Sequence, residues 1–285
     1  MFLCLSLCIA QAQISYFEIG GGIGVSNYNG DMSSDNIGKV LSTSLPSATG
    51  YVRYNLSPYI NFKGGITYAR LAADDSKSGN PGIINRNLSF FSDLYEVALS
   101  GEVNIFKYEP LNDGSIFTLY AMAGIGGFYF NPLTEFEGQV YELQPFGTEG
   151  QGLEAYPDRD FYSLYQLSLP FGGGLKFKIN EALNFNTELS WRVTFTDYLD
   201  DLSNTYPDYN LLAESRGELA ARLSHRTLDS GDPGALDGRR RGNPTVRDYY
   251  FTLHVGVSYN LVDFGSFSGY RGSGKRINTS KCPKF

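Results

Sequence analysis

The chain is 285 residues long, carries 15% aromatic residues and 33 glycines, and has a net charge of −7 at pH 7. This composition excludes an intrinsically disordered chain, which is poor in aromatic residues, and the acidic balance argues against a nucleic-acid-binding protein, which needs a basic surface. Because glycine and aromatic residues are weak helix formers, whereas Tyr, Phe, Thr and Val favour strands, we predict an all-β protein.

Residues 1–12 are predicted to form a secretory signal peptide. They make an apolar run that ends in Ala10-Gln11-Ala12, the small-x-small pattern that precedes a cleavage site. Cys4 and Cys8 lie in this segment, so Cys282 would be the one cysteine of the mature chain. A single cysteine excludes an internal disulfide and a cysteine-based zinc site, and we expect no cofactor.

Eight segments follow in which apolar and polar residues alternate, as in barrel strands with one apolar face. They lie at 16–27, 49–55, 60–68, 95–105, 117–129, 166–178, 183–193 and 249–259. The fourth is the clearest, since Val97 and Leu99 alternate with Glu96 and Ser100. We expect Val97 and Leu99 to face lipid and the two polar side chains to face the interior of the barrel.

The connections between these segments alternate in length. Short turns join the second to the third segment, the fourth to the fifth and the sixth to the seventh, whereas the long connections lie at 30–47, 73–89, 131–161 and 196–246. Short periplasmic turns and long extracellular loops are typical of outer-membrane barrels. We therefore predict an eight-stranded antiparallel up-and-down transmembrane β-barrel over residues 13–261, embedded in outer-membrane lipid. Both termini would be periplasmic. The alternative is a soluble sandwich or lipocalin-like barrel, in which the apolar face of each strand points inward.

Charged residues on the polar faces are predicted to fill the lumen. An eight-stranded barrel has an interior just wide enough for side chains, and buried charges must be paired. A salt-bridged network is therefore favoured over a selective channel, and its members would be Glu18, Arg53, Lys63, Glu96, Glu102, Lys176, Glu188 and Arg192.

Several motifs resemble catalytic or ligand-binding sequences but lack the context that such sites need. Residues 20–24, GGGIG, resemble a phosphate-binding loop, yet they lie in an alternating segment with no helix after it. His225 and His254 are the only histidines, neither has a partner histidine for a metal site, and no Ser-His-Asp arrangement can be proposed. We therefore predict that the protein is not an enzyme.

Two segments of the last long connection allow more than one interpretation. The acidic run at 196–203 could bind calcium through carboxylate oxygens, but it lacks the EF-hand spacing. The alternative, which we favour, is the base of a loop whose turns are held by Asp and Ser side chains. Residues 211–225 are predicted to form a short amphipathic helix that covers the barrel mouth or contacts a partner. At this length it is too short to span a membrane.

Motifs spread over nearly the whole mature chain are similar to those of a known family. They are FKYEP at 106–110, YELQPFGTEGQG at 141–152, LPFGGGLK at 169–176, DYLDD at 197–201, RGN at 241–243 and KCPKF at 281–285. The chain thereby resembles the PorG-like family, outer-membrane β-barrels of Bacteroidota whose founding member is a component of the type IX protein secretion system. The resemblance implies a non-enzymatic structural component that contacts a periplasmic ring of PorK- and PorN-like proteins.

The segment after the last strand, 262–285, is basic although the protein is acidic. We expect a periplasmic tail that is either solvated and disordered or docked on a partner, with Arg271, Lys275, Arg276 and Cys282 as the candidate contacts. The alternative function is that of a stand-alone small barrel that binds external ligands through its long loops or passes small solutes.

Overall fold

The computed structural model describes residues 15–33, 43–111, 116–228, 231–245 and 247–261. The predicted signal peptide lies outside these residues, and so does the basic tail with Arg271, Lys275, Arg276 and Cys282. In the part of the chain that is described, no helix is long and apolar enough to cross a membrane.

Eight long antiparallel strands form a closed barrel, and two short strands form a hairpin outside the ring. The strands are β1 (Tyr16–Asn29), β2 (Leu45–Asn55), β3 (Ile60–Asp74), β4 (Ser89–Asn104), β5 (Phe117–Tyr129), β6 (Leu133–Phe136), β7 (Gln139–Glu142), β8 (Tyr165–Lys178), β9 (Leu183–Thr194) and β10 (Tyr249–Leu261). Neighbours in the ring pair in chain order, and β1 pairs with β10, with Ile23 opposite Val255. The predicted eight-stranded antiparallel barrel is confirmed.

The strands differ from the prediction in length and number. β2 begins at Leu45 rather than at residue 49, β3 continues to Asp74, and β4 begins at Ser89. In the extensions of β3 and β4 the alternation of apolar and polar residues is lost because inward side chains such as Leu71 and Leu94 are apolar and buried. The β6–β7 hairpin lies in the predicted loop at 131–161, and strands of four residues are too short for alternation to identify.

The outward face of the barrel is apolar and the inward face is polar. Along β4, Val97, Leu99 and Val103 are 63%, 64% and 58% exposed, whereas Glu96 and Glu102 are 1% and 0% exposed. A soluble barrel has the opposite arrangement, with apolar side chains inside. The observed inversion is that of a transmembrane barrel whose outer band contacts lipid.

A row of outward-facing tyrosines marks one rim of this apolar band. Tyr68, Tyr95, Tyr129 and Tyr165 lie opposite one another on four successive strands of the ring, β3, β4, β5 and β8. Aromatic side chains of this kind concentrate at the boundary between hydrocarbon and water. The row therefore places that boundary below the long loops.

Beyond the tyrosine row the long connections form a cap. It contains α1 (Pro81–Arg86), α2 (Tyr209–Arg216) and α3 (Glu218–Ser224). The prediction of one helix at 211–225 was wrong in this respect, because Gly217, with φ of 92°, separates α2 from α3. Glycine reaches this backbone conformation without steric cost, so the chain can change direction there.

An apolar core lies between the cap and the polar lumen. Its buried members come from both the strand ends and the loops, and they include Tyr28, Leu71, Phe90, Leu94, Phe128, Phe130, Tyr162, Leu199, Leu202 and Tyr250. Aromatic contacts cross this core, such as Phe130 on Tyr162 and Tyr162 on Tyr198. The cap is thus packed on the barrel by side chains from both.

Candidate functional site

Glu102 on β4 is the centre of the charge network in the lumen. Its Oε2 lies 2.8 Å from Nε of Arg53 and 2.6 Å from Nζ of Lys176. Nζ of Lys63 lies 3.7 Å from its Oε1. Three cations from β2, β3 and β8 therefore converge on one buried carboxylate of β4.

The remaining carboxylates of the lumen are paired as well. Glu18 forms an ion pair with Arg53, and Glu188 forms one with Lys63. Glu96 lies 3.0 Å from Nε of Arg192 in a separate pair nearer the cap. Uncharged donors complete these shells, since the hydroxyls of Ser168 and Tyr250 donate to Glu96 at 2.7 and 3.1 Å and that of Tyr120 donates to Glu188 at 2.8 Å.

The eight residues predicted for the lumen network all lie inside the barrel and are joined by these ion pairs. Four carboxylates face four cations, so the formal charge of the network is zero. A cavity lined by Arg53, Lys63 and Glu188 measures about 20 Å³, which is room for about one water molecule. The buried side chains of the network therefore fill the described part of the barrel across its middle.

The structure also brings together a serine and a histidine that the sequence analysis did not connect. Oγ of Ser47 lies 2.8 Å from Nε2 of His254, inside the barrel. The hydroxyl of Ser47 also donates to the carbonyl oxygen of Tyr68 at 2.7 Å. Nδ1 of His254 has no hydrogen-bond partner among the described residues, whereas the histidine of a nucleophilic Ser–His pair is oriented by a third group.

A polar junction in the cap joins three of the motifs singled out in the sequence. Glu149, from the TEGQG segment, accepts the backbone N–H groups of Ser203 and Asn204 at 3.0 and 2.9 Å. Nη1 of Arg241, from the RGN segment, lies 3.1 Å from Glu149 and donates to the backbone oxygen of Asp201 at 2.6 Å. These side chains are buried, and we call the cluster of Glu149, Asp201 and Arg241 the cap junction.

Asp201 ties the junction to the strand ends. Its Oδ1 accepts the hydroxyl of Tyr162 at 2.8 Å, and Thr148 donates to its Oδ2. Burial raises the pKa of Asp201 to about 6 although the Arg241 guanidinium opposes the shift. Burial likewise raises the pKa of Asp197 to about 7.

The glycine of the RGN segment is required by this packing. A Cβ atom on Gly242 would lie against the backbone of Leu202 and Ser203, closer than atoms of folded proteins approach. The loops at 196–203 and 241–243 are therefore in direct backbone contact. Sequence reasoning marked both segments as motifs, but it did not predict that they meet.

The acidic run at 196–203 forms the base of a loop. Asp200 and Asp201 accept hydrogen bonds from backbone, tyrosine and threonine donors. Among the described residues there is no group of three or more His, Cys, Asp or Glu side chains that could hold a metal ion. His225 follows α3 and is buried between the rings of Tyr206 and Tyr209. Burial lowers its pKa to about 4, so it is neutral at pH 7.

A family model described as a domain of unknown function, DUF6089, matches residues 1–218. The chain belongs to the DUF6089 family. Curated proteins give no match. Each solved structure named next covers 87% of this chain, and the chain covers 97 to 99% of each of them. OprG from Pseudomonas aeruginosa is 11% identical in sequence, with a TM-score of 0.41. A major outer membrane protein from Thermus thermophilus is 13% identical, with a TM-score of 0.41. Ail from Yersinia pestis is 12% identical, with a TM-score of 0.40.

Proposed function

We propose that the protein is a non-enzymatic structural component of the outer membrane, a plugged and capped barrel that serves as a membrane anchor. The filled lumen carries this proposal, because Glu102 and its three cations occupy the space that a pore would need. The cap, packed on the barrel, adds a surface on the side of the long loops. A scaffold needs both features, and a channel needs neither.

The specific assembly that we propose is the type IX secretion system. The motif segments at 106–110, 141–152, 169–176, 197–201 and 241–243 resemble the PorG-like family, and three of them meet at the cap junction. In this proposal the long loops are extracellular, both termini are periplasmic, and the periplasmic side contacts a ring of PorK- and PorN-like proteins.

Deleting the gene tests the secretion role. Export of proteins that carry the type IX signal should fall in the deletion strain and return when the wild-type gene is supplied. A variant with a disrupted cap but an intact barrel, such as Gly242→Ala, separates the role of the cap from that of the anchor. Unchanged export in the deletion strain would contradict the secretion role.

Truncating the basic tail tests whether it contributes to binding of the periplasmic ring proteins. Truncation after Leu261 removes Arg271, Lys275, Arg276 and Cys282, and we expect the barrel to assemble while the periplasmic partner is bound less tightly. Attraction between a basic tail and an acidic partner should weaken as salt rises. Copurification of the ring proteins at wild-type yield at both low and high salt would remove the tail from the mechanism.

A stand-alone ligand-binding barrel is the second candidate, and a cleft at the long-loop end favours it. The cleft measures about 560 Å³, within the range of small-molecule sites, and its wall includes Tyr28, Ala72, Phe90 and Phe91. Conductance in planar bilayers that disappears when the loops are trimmed would support solute passage. Normal type IX export in the deletion strain, together with such conductance, would favour this candidate over the first.

A further inference from the structure

A tyrosine hydroxyl at the base of the cap bridges two buried carboxyl groups. Tyr28 lies near the end of β1, and its Oη is 2.5 Å from Oδ2 of Asp200 and 3.1 Å from Oδ1 of Asp248. The other oxygens of the two carboxyl groups are occupied. Oδ1 of Asp200 accepts the N–H of Leu202 at 3.0 Å, and Oδ2 of Asp248 accepts the N–H of Leu199 at 2.9 Å.

The number of protons at this bridge determines whether both contacts are hydrogen bonds. A phenolic hydroxyl has one hydrogen, so Tyr28 can donate to only one of the two carboxyl groups. The other group completes its contact only by donating a proton to the tyrosine oxygen, and for that it must be protonated. Two charged carboxylates around one hydroxyl would leave one contact repulsive in a buried site.

The surroundings favour the protonated form. The charged groups that face the pair are Asp31 after β1, Asp197 in the loop after β9 and Arg86 on α1. Arg226 and Arg241 line a small cavity together with Asp200, and Arg241 is itself paired with Glu149. The two aspartates add negative charge, and Arg86 is held by Asp75 at 2.7 and 2.8 Å. Burial raises the pKa of Asp200 and of Asp248 well above the usual range, and in each case a neighbouring carboxylate adds to the shift.

We propose that one proton on the Asp200–Asp248 pair, in addition to the hydroxyl proton of Tyr28, locks the cap onto the barrel, and that the cap loosens when rising pH removes it. The bridge joins the end of β1, the loop after β9 and the residue before β10, three parts of the chain that are far apart in sequence. The lock operates whichever of the two candidate functions holds.

The direction of the pH effect follows from proton linkage. In the opened cap both aspartates are solvated and regain pKa values near 4. At neutral pH the closed cap therefore binds one more proton than the open cap, and a rise in pH favours opening. With a difference of one proton, the equilibrium constant for opening rises by up to about tenfold per pH unit.

Hydrogen exchange of the full chain in lipid nanodiscs between pH 5 and pH 8.5, corrected for the intrinsic exchange rate, tests the lock. The amides of Leu199 and Leu202, which donate to the two carboxyl groups, should lose protection by up to about tenfold per pH unit as the pair titrates. In Asp248→Asn the amide oxygen accepts the Leu199 N–H and the amide nitrogen donates to Tyr28. This variant should keep its protection constant over the same range.

Asp160→Asn is the matched control, since Asp160 is an exposed aspartate in another loop of the cap. It should show the wild-type pH dependence. Tyr28→Phe should lower protection at pH 5 to the level that the wild type has at high pH. If this variant does not fold, the comparison of Asp248→Asn with Asp160→Asn still tests the proposed lock. Protection that is independent of pH in the wild type, or equally dependent on pH in Asp248→Asn, would overturn the proposal.

Discussion

Neutralising Glu102 should destabilise the barrel more than any change to an exposed carboxylate. Glu102→Gln keeps the size of the side chain and removes the charge that faces Arg53, Lys63 and Lys176. Removing one partner of a buried ion pair leaves an uncompensated charge and costs about 3–5 kcal/mol. That loss lowers the ratio of folded to unfolded barrel by a factor of about 100 to 4,000.

Urea unfolding in lipid vesicles measures this loss, and the fluorescence of Trp191, the one tryptophan of the chain, reports it. Trp191 lies on β9 and stacks on Phe171, so it changes environment when the barrel opens. Glu142→Gln, in the exposed β6–β7 hairpin, should stay within about 0.5 kcal/mol of the wild type.

A double variant separates lost charge pairing from lost packing. Lys176→Gln should cost less in the Glu102→Gln background than in the wild type, because the second change removes a cation that has lost its partner. If Glu102→Gln unfolded at the same urea concentration as Glu142→Gln, the lumen charges would not be desolvated. The proposal that buried ion pairs fill the lumen would then be refuted.

Three further outcomes are expected. Leu99→Arg on the outer face should cost about 2–4 kcal/mol of barrel stability in lipid, whereas Leu99→Ala should cost less, and equal small losses would show that this face does not contact lipid. Gly242→Ala should expose the cap loops to protease without unfolding the barrel, while Gly231→Ala, which has open space for a Cβ atom, should not. In a background without Cys282, Asp160→Cys should react with an impermeant maleimide on intact cells, and Glu181→Cys should react only after the outer membrane is disrupted. The reverse pattern would invert the proposed topology.

The strand pattern within the membrane could be predicted from the sequence because each side chain there meets one of two environments. Lipid selects residues such as Leu99 and Val97, and the lumen selects residues such as Glu96 and Glu102, so alternation identifies both the strand and its facing. The members of the lumen network could be named for the same reason. Which carboxylate would pair with which cation could not, because strand register and side-chain reach decide it.

On the loop side of the tyrosine row, alternation of apolar and polar residues no longer identifies the strands, and only the tertiary structure decided how the loops are arranged. Apolar side chains such as Leu71 and Leu94 point inward there, so the strands continue past the point where alternation ends. The cap junction joins Glu149 to Arg241, two residues separated by 92 positions, and the bridge at Tyr28 joins β1 to residues near β9 and β10. Such contacts depend on how long loops close over the barrel, and local sequence carries no periodic signal for that. The sequence by itself therefore determined the wall of the barrel, where solvent and lipid act on every second residue, and tertiary packing determined the cap.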